Sequence, residues 1–239
     1  MSDVTKFKDI HKGQRGWIVC TGPGLNLVDC SKFDNEILIG LNRAYLKEDL
    51  KFDYMVAINK YVFEHYGKDI ANYPCKAKFG TGLVGLGPDC YSLRWGGKKF
   101  TFTGDITKPL WQGHTVTYSA MQIAYYMGFS EVYVIGMDHY FDYSNFAGPK
   151  SDDSHNVRYS KGNDINHFTK DYFAKGHSHA TAEPRITEKA FKVARDFYES
   201  QGRKLVNASV VTALDEKFLP RVDYLEVLDE KNSRSDNNI

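Results

Sequence analysis

Small and amide-bearing residues follow several short apolar runs of this chain, at the point where each run ends. The first run leads into Thr21 and the turn Gly22-Pro23-Gly24, the next two end at Asn42 and Asn59, and a later one ends near Asp138. Because open α/β sheets bind ligands at the carboxyl ends of their strands, these positions predict one shared ligand edge. Glycine lacks a Cβ, so a phosphate or sugar can approach the main chain closely at the turn.

Structural roles can also explain these residues one at a time. A Gly-Pro-Gly sequence is a common turn, and asparagine often satisfies its own backbone in turns. The glycine-rich stretch 80–88 lacks the Lys-Ser/Thr ending of a P-loop, so we interpret it as a loop rather than a nucleoside triphosphate site. For Asn42 and Asn59, the shared position at strand ends favours ligand contact.

The elements that position these residues alternate between apolar strands and helices, which predicts a parallel sheet. Strands are predicted over 16–21, 36–41, 54–58, 75–79, 100–103, 131–136 and 204–207, and helices over 60–72, 115–128 and 186–201. The expected fold class is α/β, a Rossmann-like, mainly parallel sheet with helices on both faces and a lid-like loop region. We expect one catalytic domain over 1–228, a lid-like insertion at about 141–175 and a disordered tail at 229–239.

Two features of the second half bear on ligand chemistry. Thr115 or Thr117 is a suitable N-cap for the helix over 115–128, whose free N–H groups and dipole favour an anion. The pair Asp152-Asp153 lies in the polar insertion, where we expect it to be solvated. Since no convincing Asp-x-Asp motif is present, we expect no metal and no cofactor.

Composition argues against some classes of protein. With 31 Lys and Arg against 30 Asp and Glu, the charge balance favours neither a nucleic acid nor an anionic membrane as partner. Four cysteines without zinc spacing predict free thiols in a reducing compartment. The sequence shows no apolar signal region and no apolar stretch of membrane length, so we expect a cytoplasmic protein. Peripheral membrane contact and homo-oligomer formation stay open.

Several short segments, spread over about 16–225, resemble the MptE-like (6-hydroxymethylpterin diphosphokinase-like) family and, more distantly, the bacterial sialyltransferases of glycosyltransferase family 42. The segment Cys20-Thr21-Gly22-Pro23-Gly24-Leu25 is similar to the sialyltransferases' Gly-Asn-Gly-Pro-Ser-Leu nucleotide loop. Asn42 in Gly-Leu-Asn-Arg and Asn59 in Val-Ala-Ile-Asn-Lys fall where that family keeps two ligand-binding asparagines.

The resemblance also implies catalytic roles. The segment 128–140 is similar to a helix stop and strand of the family, which implies that Tyr140 contacts the departing phosphate. Gly176-His177-Ser178 matches the segment that holds the family's catalytic histidine. We therefore expect His177 to be the general base, and His179 and His167 are the next candidates. His114 and His139 are expected to be structural or to contact the residues that bind the ligand.

The chain departs from the family pattern at three positions. Thr21 replaces an asparagine, and Val116 stands where a donor-contacting serine is expected. Ala174 occupies the position of a second phosphate-contacting tyrosine, for which Tyr172 or Tyr159 could substitute. The resemblance therefore leaves open a donor other than CMP-sialic acid.

We expect a metal-independent glycosyltransferase that moves a sugar, sialic-acid-like or related, from a nucleotide-activated, CMP-linked donor to a glycan acceptor. Its expected donor contacts are Thr21, Gly22, Pro23, Gly24, Asn42, Asn59, Thr115, Thr117, Asp138 and Tyr172, and its expected catalytic residues are His177 and Tyr140. One alternative is a diphosphokinase that uses ATP and Mg²⁺ on a pterin alcohol, with Asp138 as the leading metal ligand. The other is a non-catalytic nucleotide- or glycan-binding module on the same fold.

Overall fold

The computed structural model describes residues 3–83, 85–87, 89–151 and 156–235. Its main sheet is built from β1 (Arg15–Val19), β2 (Leu38–Leu41), β3 (Tyr54–Val56), β4 (Ala77–Phe79), β5 (Cys90–Tyr91), β6 (Glu131–Ile135) and β10 (Lys204–Asn207). A smaller sheet contains β7 (Phe146–Ser151), β8 (Asn156–Ser160) and β9 (Ser178–Ala180). The helices are α1 (Lys60–Asn72), α2 (Val116–Tyr126), α3 (Pro184–Ser200) and α4 (Tyr224–Ser235).

All neighbouring strands of the main sheet run parallel, in the order β10-β6-β1-β2-β3-β4-β5. From β1 the chain adds β2 to β5 in one direction and then returns to place β6 and β10 on the other side. The strand order therefore reverses between β1 and β6. A crevice forms at such a reversal, outside the carboxyl ends of the two strands.

Alternate side chains of each strand enter two apolar layers, one on each face of the sheet. Ile18 of β1 packs in one layer with buried residues of α2 and α3. Trp17 and Val19 pack in the other layer with buried residues of α1 and α4. This arrangement confirms the predicted α/β class, a mainly parallel sheet with helices on both faces.

The element predictions differ from the structure at several places, and the elements β5, β9 and α4 were not predicted. The predicted strand over 100–103 is wrong, because Phe102 is buried against Tyr118 and Phe197 without strand pairing. The insertion predicted over 141–175 is more regular than expected, since it contributes β7 and β8 to the antiparallel small sheet. Gly148 and Pro149 lie where the β7–β8 register shifts, and they interrupt the alternation by which a strand is recognised.

The last described helix, α4, extends through Ser235 and so covers the first part of the segment for which we expected disorder. Residues 236–239 lie outside the described residues, as do Asp152 and Asp153.

The helices described here include none with the length and apolar character needed to cross a membrane.

Candidate functional site

A cavity of about 450 Å³ opens at the carboxyl edge of the main sheet. Its floor includes the residues that follow β1 and β6, so it occupies the crevice where the strand order reverses. Of the predicted site residues, eight line it: Thr21, Gly22, Asn42, Asn59, Thr115, Thr117, Asp138 and Tyr140. Pro23, Gly24, Tyr172 and His177 are not among the lining residues. The structure therefore brings most of the predicted ligand edge together.

The turn at Gly22 and Gly24 is held by Asp138 from the end of β6. The Gly24 N–H donates to Asp138 Oδ2 over 2.6 Å. A Cβ on Gly22 or Gly24 would lie 2.6 or 2.7 Å from Asp138 Oδ1, so the close approach of the carboxylate requires glycine at both positions. Burial raises the pKa of Asp138, although the Gly24 N–H and the charge of His167 act in the opposite direction.

Asn42 combines a left-handed backbone conformation with an unsatisfied polar atom. Its φ is +50°, in the left-handed region that few residues other than glycine adopt. Its backbone N–H donates to Val56 O over 2.9 Å, but its Oδ1 is buried without a hydrogen-bond partner. Asparagine tolerates this backbone conformation, so the costly feature is the buried oxygen without a partner, at a residue that lines the cavity.

The N-termini of three helices meet at the cavity. Asn59 caps α1 by accepting from Tyr61 N–H over 2.9 Å, and Thr115 caps α2 by accepting from Thr117 N–H over 3.3 Å. Glu183, which precedes α3, also lines the cavity. Each terminus carries the positive end of its helix dipole. Together they form an environment suited to an anionic group.

Four histidines of the described residues line the cavity, namely His114, His139, His167 and His179. His114 Nδ1 lies 3.1 Å from Glu183 Oε1, and His139 Nε2 lies 3.4 Å from Glu188 Oε1. Burial lowers the pKa of His139, against the effect of Glu188. These pairings are consistent with the structural roles expected for His114 and His139.

His167 and His179, the two alternative candidates for the general base, differ in their surroundings. His167 Nδ1 lies 2.9 Å from Asp164 Oδ2. His179 has no such partner, since its Nδ1 is buried without a hydrogen bond. Burial first, and then the charge of His167, lower the pKa of His179 to about 3.

His177 lies beside α1 rather than in the cavity lining. Its ring stacks on that of His65 at a centroid distance of 3.9 Å, and its Nδ1 lies 2.6 Å from Tyr66 Oη. Burial lowers the pKa of His177, and the charges of His65 and Arg43 lower it further. His177 thus lies outside the lining that eight of the other predicted site residues form.

The two predicted tyrosines occupy opposite environments. Tyr140 is 68% exposed at the rim of the cavity. Tyr172 is 1% exposed, and its hydroxyl lies 3.4 Å from Thr21 Oγ1 and accepts from Arg43 N–H over 3.3 Å. Tyr172 therefore supports the site from beneath instead of lining it.

Asp138 and Glu183 are the acidic residues that line the cavity within the described ranges. One oxygen of Asp138 accepts from Gly24, and Glu183 pairs with His114. Among the described residues, no group of three or more His, Cys, Asp or Glu side chains is arranged to hold a metal ion. Asp138, the residue predicted to bind Mg²⁺ in the diphosphokinase alternative, therefore lies in the cavity without such a group around it.

No known protein family matches this chain. No curated protein sequence matches it either. Among solved structures, the chain is similar to the sialyltransferase CstII from Campylobacter jejuni in complex with a substrate analogue, CMP-3FNeuAc. The TM-score is 0.47 and the identity 16%, over 88% of this chain and 87% of that chain. A likeness of this size does not establish an activity, and the resemblance to the MptE-like family stays a prediction.

Sequence reasoning did not identify Lys60, Tyr61 or Asp164 as parts of the site. Lys60 and Tyr61 line the cavity at the start of α1, and their position directly after Asn59 could have indicated this. Asp164 precedes His167 by three residues, a spacing that allows a local hydrogen bond. This spacing could have indicated a paired histidine, but both residues lie in an insertion for which no regular structure was expected.

Proposed function

We propose that this protein transfers a sugar from a nucleotide-activated donor to a glycan acceptor. The observation that carries the proposal is the convergence of the N-termini of α1, α2 and α3 on one cavity at the strand-order reversal. The positive ends of helix dipoles stabilise phosphate without requiring many charged side chains. A nucleoside monophosphate linked to a sugar presents one phosphate of this kind, and a CMP-linked donor fits the proposal best.

Polar and apolar groups of the cavity suit the rest of such a donor. The buried Oδ1 of Asn42 can accept a hydrogen bond from a ribose hydroxyl or a base amine, which would relieve its lack of a partner. Leu41, Ile58 and Val116 supply apolar surface for the base or sugar ring. The Tyr140 hydroxyl at the rim can donate a hydrogen bond to the phosphate as negative charge develops on the departing nucleotide.

Asp138 supports the same proposal through the turn. Because its carboxylate accepts from Gly24 N–H and packs against Gly22, it fixes the main chain that the donor approaches. In this role Asp138 positions the nucleotide loop, and the reaction proceeds without a metal. The acceptor hydroxyl must lose a proton during the transfer, and a histidine of the cavity is suited to take it.

Nucleotide binding can be tested by thermal unfolding with CMP, CDP, UDP or ATP, each with and without Mg²⁺. We expect CMP or CDP at about 100 times its Kd to raise Tm by roughly 5–10 °C without metal. Stabilisation by ATP with Mg²⁺ alone would support the diphosphokinase alternative. If no nucleotide changes Tm, the proposal is wrong and a module that binds a nucleotide-free glycan gains support.

Asn42→Gly provides a matched variant for this measurement. Glycine adopts the backbone angle of Asn42 readily, so the variant should unfold at or above the wild-type Tm. Its CMP affinity should fall about tenfold, because a ligand hydrogen bond worth about 1.4 kcal/mol is lost. Unchanged CMP affinity in Asn42→Gly would remove Asn42 from the donor site.

A further inference from the structure

The side chain of His167 is fixed by contacts on two sides. Its Nδ1 lies 2.9 Å from Asp164 Oδ2, and the Asp164 side chain is fully buried. Its ring lies parallel to that of Tyr172, with centroids 3.7 Å apart and planes within 2°. Asp164 is itself fixed, since its Oδ1 accepts from Asn166 N–H over 2.8 Å. The imidazole therefore has one defined position at the cavity wall.

The charge of Asp164 determines which nitrogen of His167 can accept a proton. Burial by itself would raise the pKa of Asp164, but hydrogen bonds from His167 and Asn166 and the charge of His167 lower it overall. Asp164 is thus a carboxylate at neutral pH and accepts from the Nδ1–H of His167. In neutral imidazole the other nitrogen, Nε2, is then the proton acceptor.

The other histidines of the cavity are less suited to this task. His179 has a pKa of about 3, which makes it a weak base near neutral pH. His139 uses Nε2 toward Glu188, and burial lowers its pKa. His114 pairs with Glu183, but the side chains of both residues are substantially exposed, at 31% and 45%. None of the three combines a buried carboxylate partner with a stacked ring.

We propose that His167, positioned by Asp164, is the general base of the transfer; this inference rests on the proposed function. The acceptor oxygen forms a bond to the anomeric carbon of the donor, and its proton moves to His167 Nε2. The bond from the anomeric carbon to the phosphate oxygen breaks, and its electron pair leaves with the nucleotide. Protonated His167 stays hydrogen-bonded to Asp164 and later releases the proton to water. His167 is the catalytic residue and Asp164 a positioning residue.

This assignment differs from the one that the sequence resemblance implies. His177 stacks on His65 and contacts Tyr66 outside the cavity lining. Asp164 and His167 both lie in the part of the insertion that follows β8, so the base reaches the cavity from that segment. Two observations in the folded chain, the buried carboxylate partner and the position in the cavity lining, distinguish His167 from His177.

The inference is tested with CMP-sialic acid as donor probe and lactose as acceptor probe, in the full chain. We expect His167→Gln to lower kcat on the order of 10²- to 10⁴-fold while CMP affinity stays within about threefold. Asp164→Asn should lower kcat on the order of 10²-fold with little change in KM. In His167→Ala, added imidazole should restore part of the turnover, which a merely structural residue would not permit.

Two further variants decide between the histidines. His65→Gln removes an exposed ring outside the cavity and should keep kcat within about threefold of wild type. If His177→Gln abolishes turnover while His167→Gln retains it, the inference is overturned. The same holds if imidazole fails to restore His167→Ala although this variant binds CMP and unfolds like wild type.

A spectroscopic measurement separates this inference from the proposed function. Nitrogen-15 spectra of the side chains at pH 8 should show His167 with its proton on Nδ1, and Asp164→Asn should change that tautomer. If wild type neither binds CMP nor turns over the probe, the proposed function fails. The tautomer of His167 then still shows whether its Nδ1–H donates to Asp164. A proton on Nε2 in wild type would refute the pairing.

Discussion

Acidification should destabilise this protein through His179, a half-buried residue of the cavity wall that lies among aromatic rings. The ring centroids of Phe173, Phe146 and Tyr143 lie 5.0, 5.5 and 6.3 Å from that of His179. Burial and the charge of His167 lower its folded-state pKa to about 3, against an ordinary value of 6.5. Between these values the unfolded chain binds more protons than the folded chain, so stability is complete above pH 6.5 and is lost as the pH falls.

The size of the effect follows from the two pKa values. From pH 7 to pH 5 the unfolded state gains most of a proton at this residue, while the folded state gains almost none. Over the roughly 1.5 pH units below 6.5, at about 1.4 kcal/mol per unit, the free energy of unfolding should fall by about 2 kcal/mol through His179. Other buried histidines add to the total, so the contribution of His179 must be isolated by substitution.

The assay is urea denaturation of wild type and His179→Phe at pH 7 and pH 5. Phenylalanine fits an aromatic environment and cannot be protonated, so the variant should lose about 2 kcal/mol less than wild type between these pH values. Val157→Ala, a cavity-creating change in the same small sheet, serves as control, because its cost should be equal at both pH values. If wild type and His179→Phe show the same pH dependence, the argument from burial is refuted.

Two further predictions concern the turn and the sheet. Gly24→Ala would place a Cβ 2.7 Å from Asp138 Oδ1 and should cost about 1–3 kcal/mol in urea denaturation; a cost that persists undiminished in Gly24→Ala/Asp138→Ala would contradict this cause. The Glu36 side chain, 4% exposed, accepts two hydrogen bonds from Arg15 and one from Trp17, so Glu36→Gln should cost about 2 kcal/mol. The exposed pair Lys192–Asp196 provides the control: Lys192→Gln should change stability by less than about 0.5 kcal/mol, and a similar loss in both variants would refute the importance of burial.

The ligand edge of the sheet could be predicted because each strand end is recognisable from a short stretch of sequence. Apolar runs end at Thr21, Asn42, Asn59 and Asp138, and the topology of parallel strands places such ends together. The helix over 60–72 and the strand over 204–207 were predicted with their observed bounds, since each has a clear beginning and end in the sequence.

The pairing of His167 with Asp164 could not be predicted in the same way. It depends on the stack with Tyr172 and on the burial of Asp164, both of which arise from tertiary packing of the insertion. The role of Gly24 was likewise not visible, because the carboxylate that requires it comes from Asp138, more than a hundred residues away. The short motif around His177 carried no information about the stack with His65, which places its ring beside α1.

The order of strands has a consequence for how the chain folds. β1 pairs with β2 soon after both are synthesised, but its other neighbour, β6, follows more than a hundred residues later, with Trp17 opposite Tyr133. Until β6 emerges from the ribosome, β1 is an edge strand with unpaired N–H and C=O groups. Pairing across such a sequence separation is slow, and exposed edges promote aggregation. Nascent chains that end before residue 135 should therefore depend on chaperones more than chains that include β6.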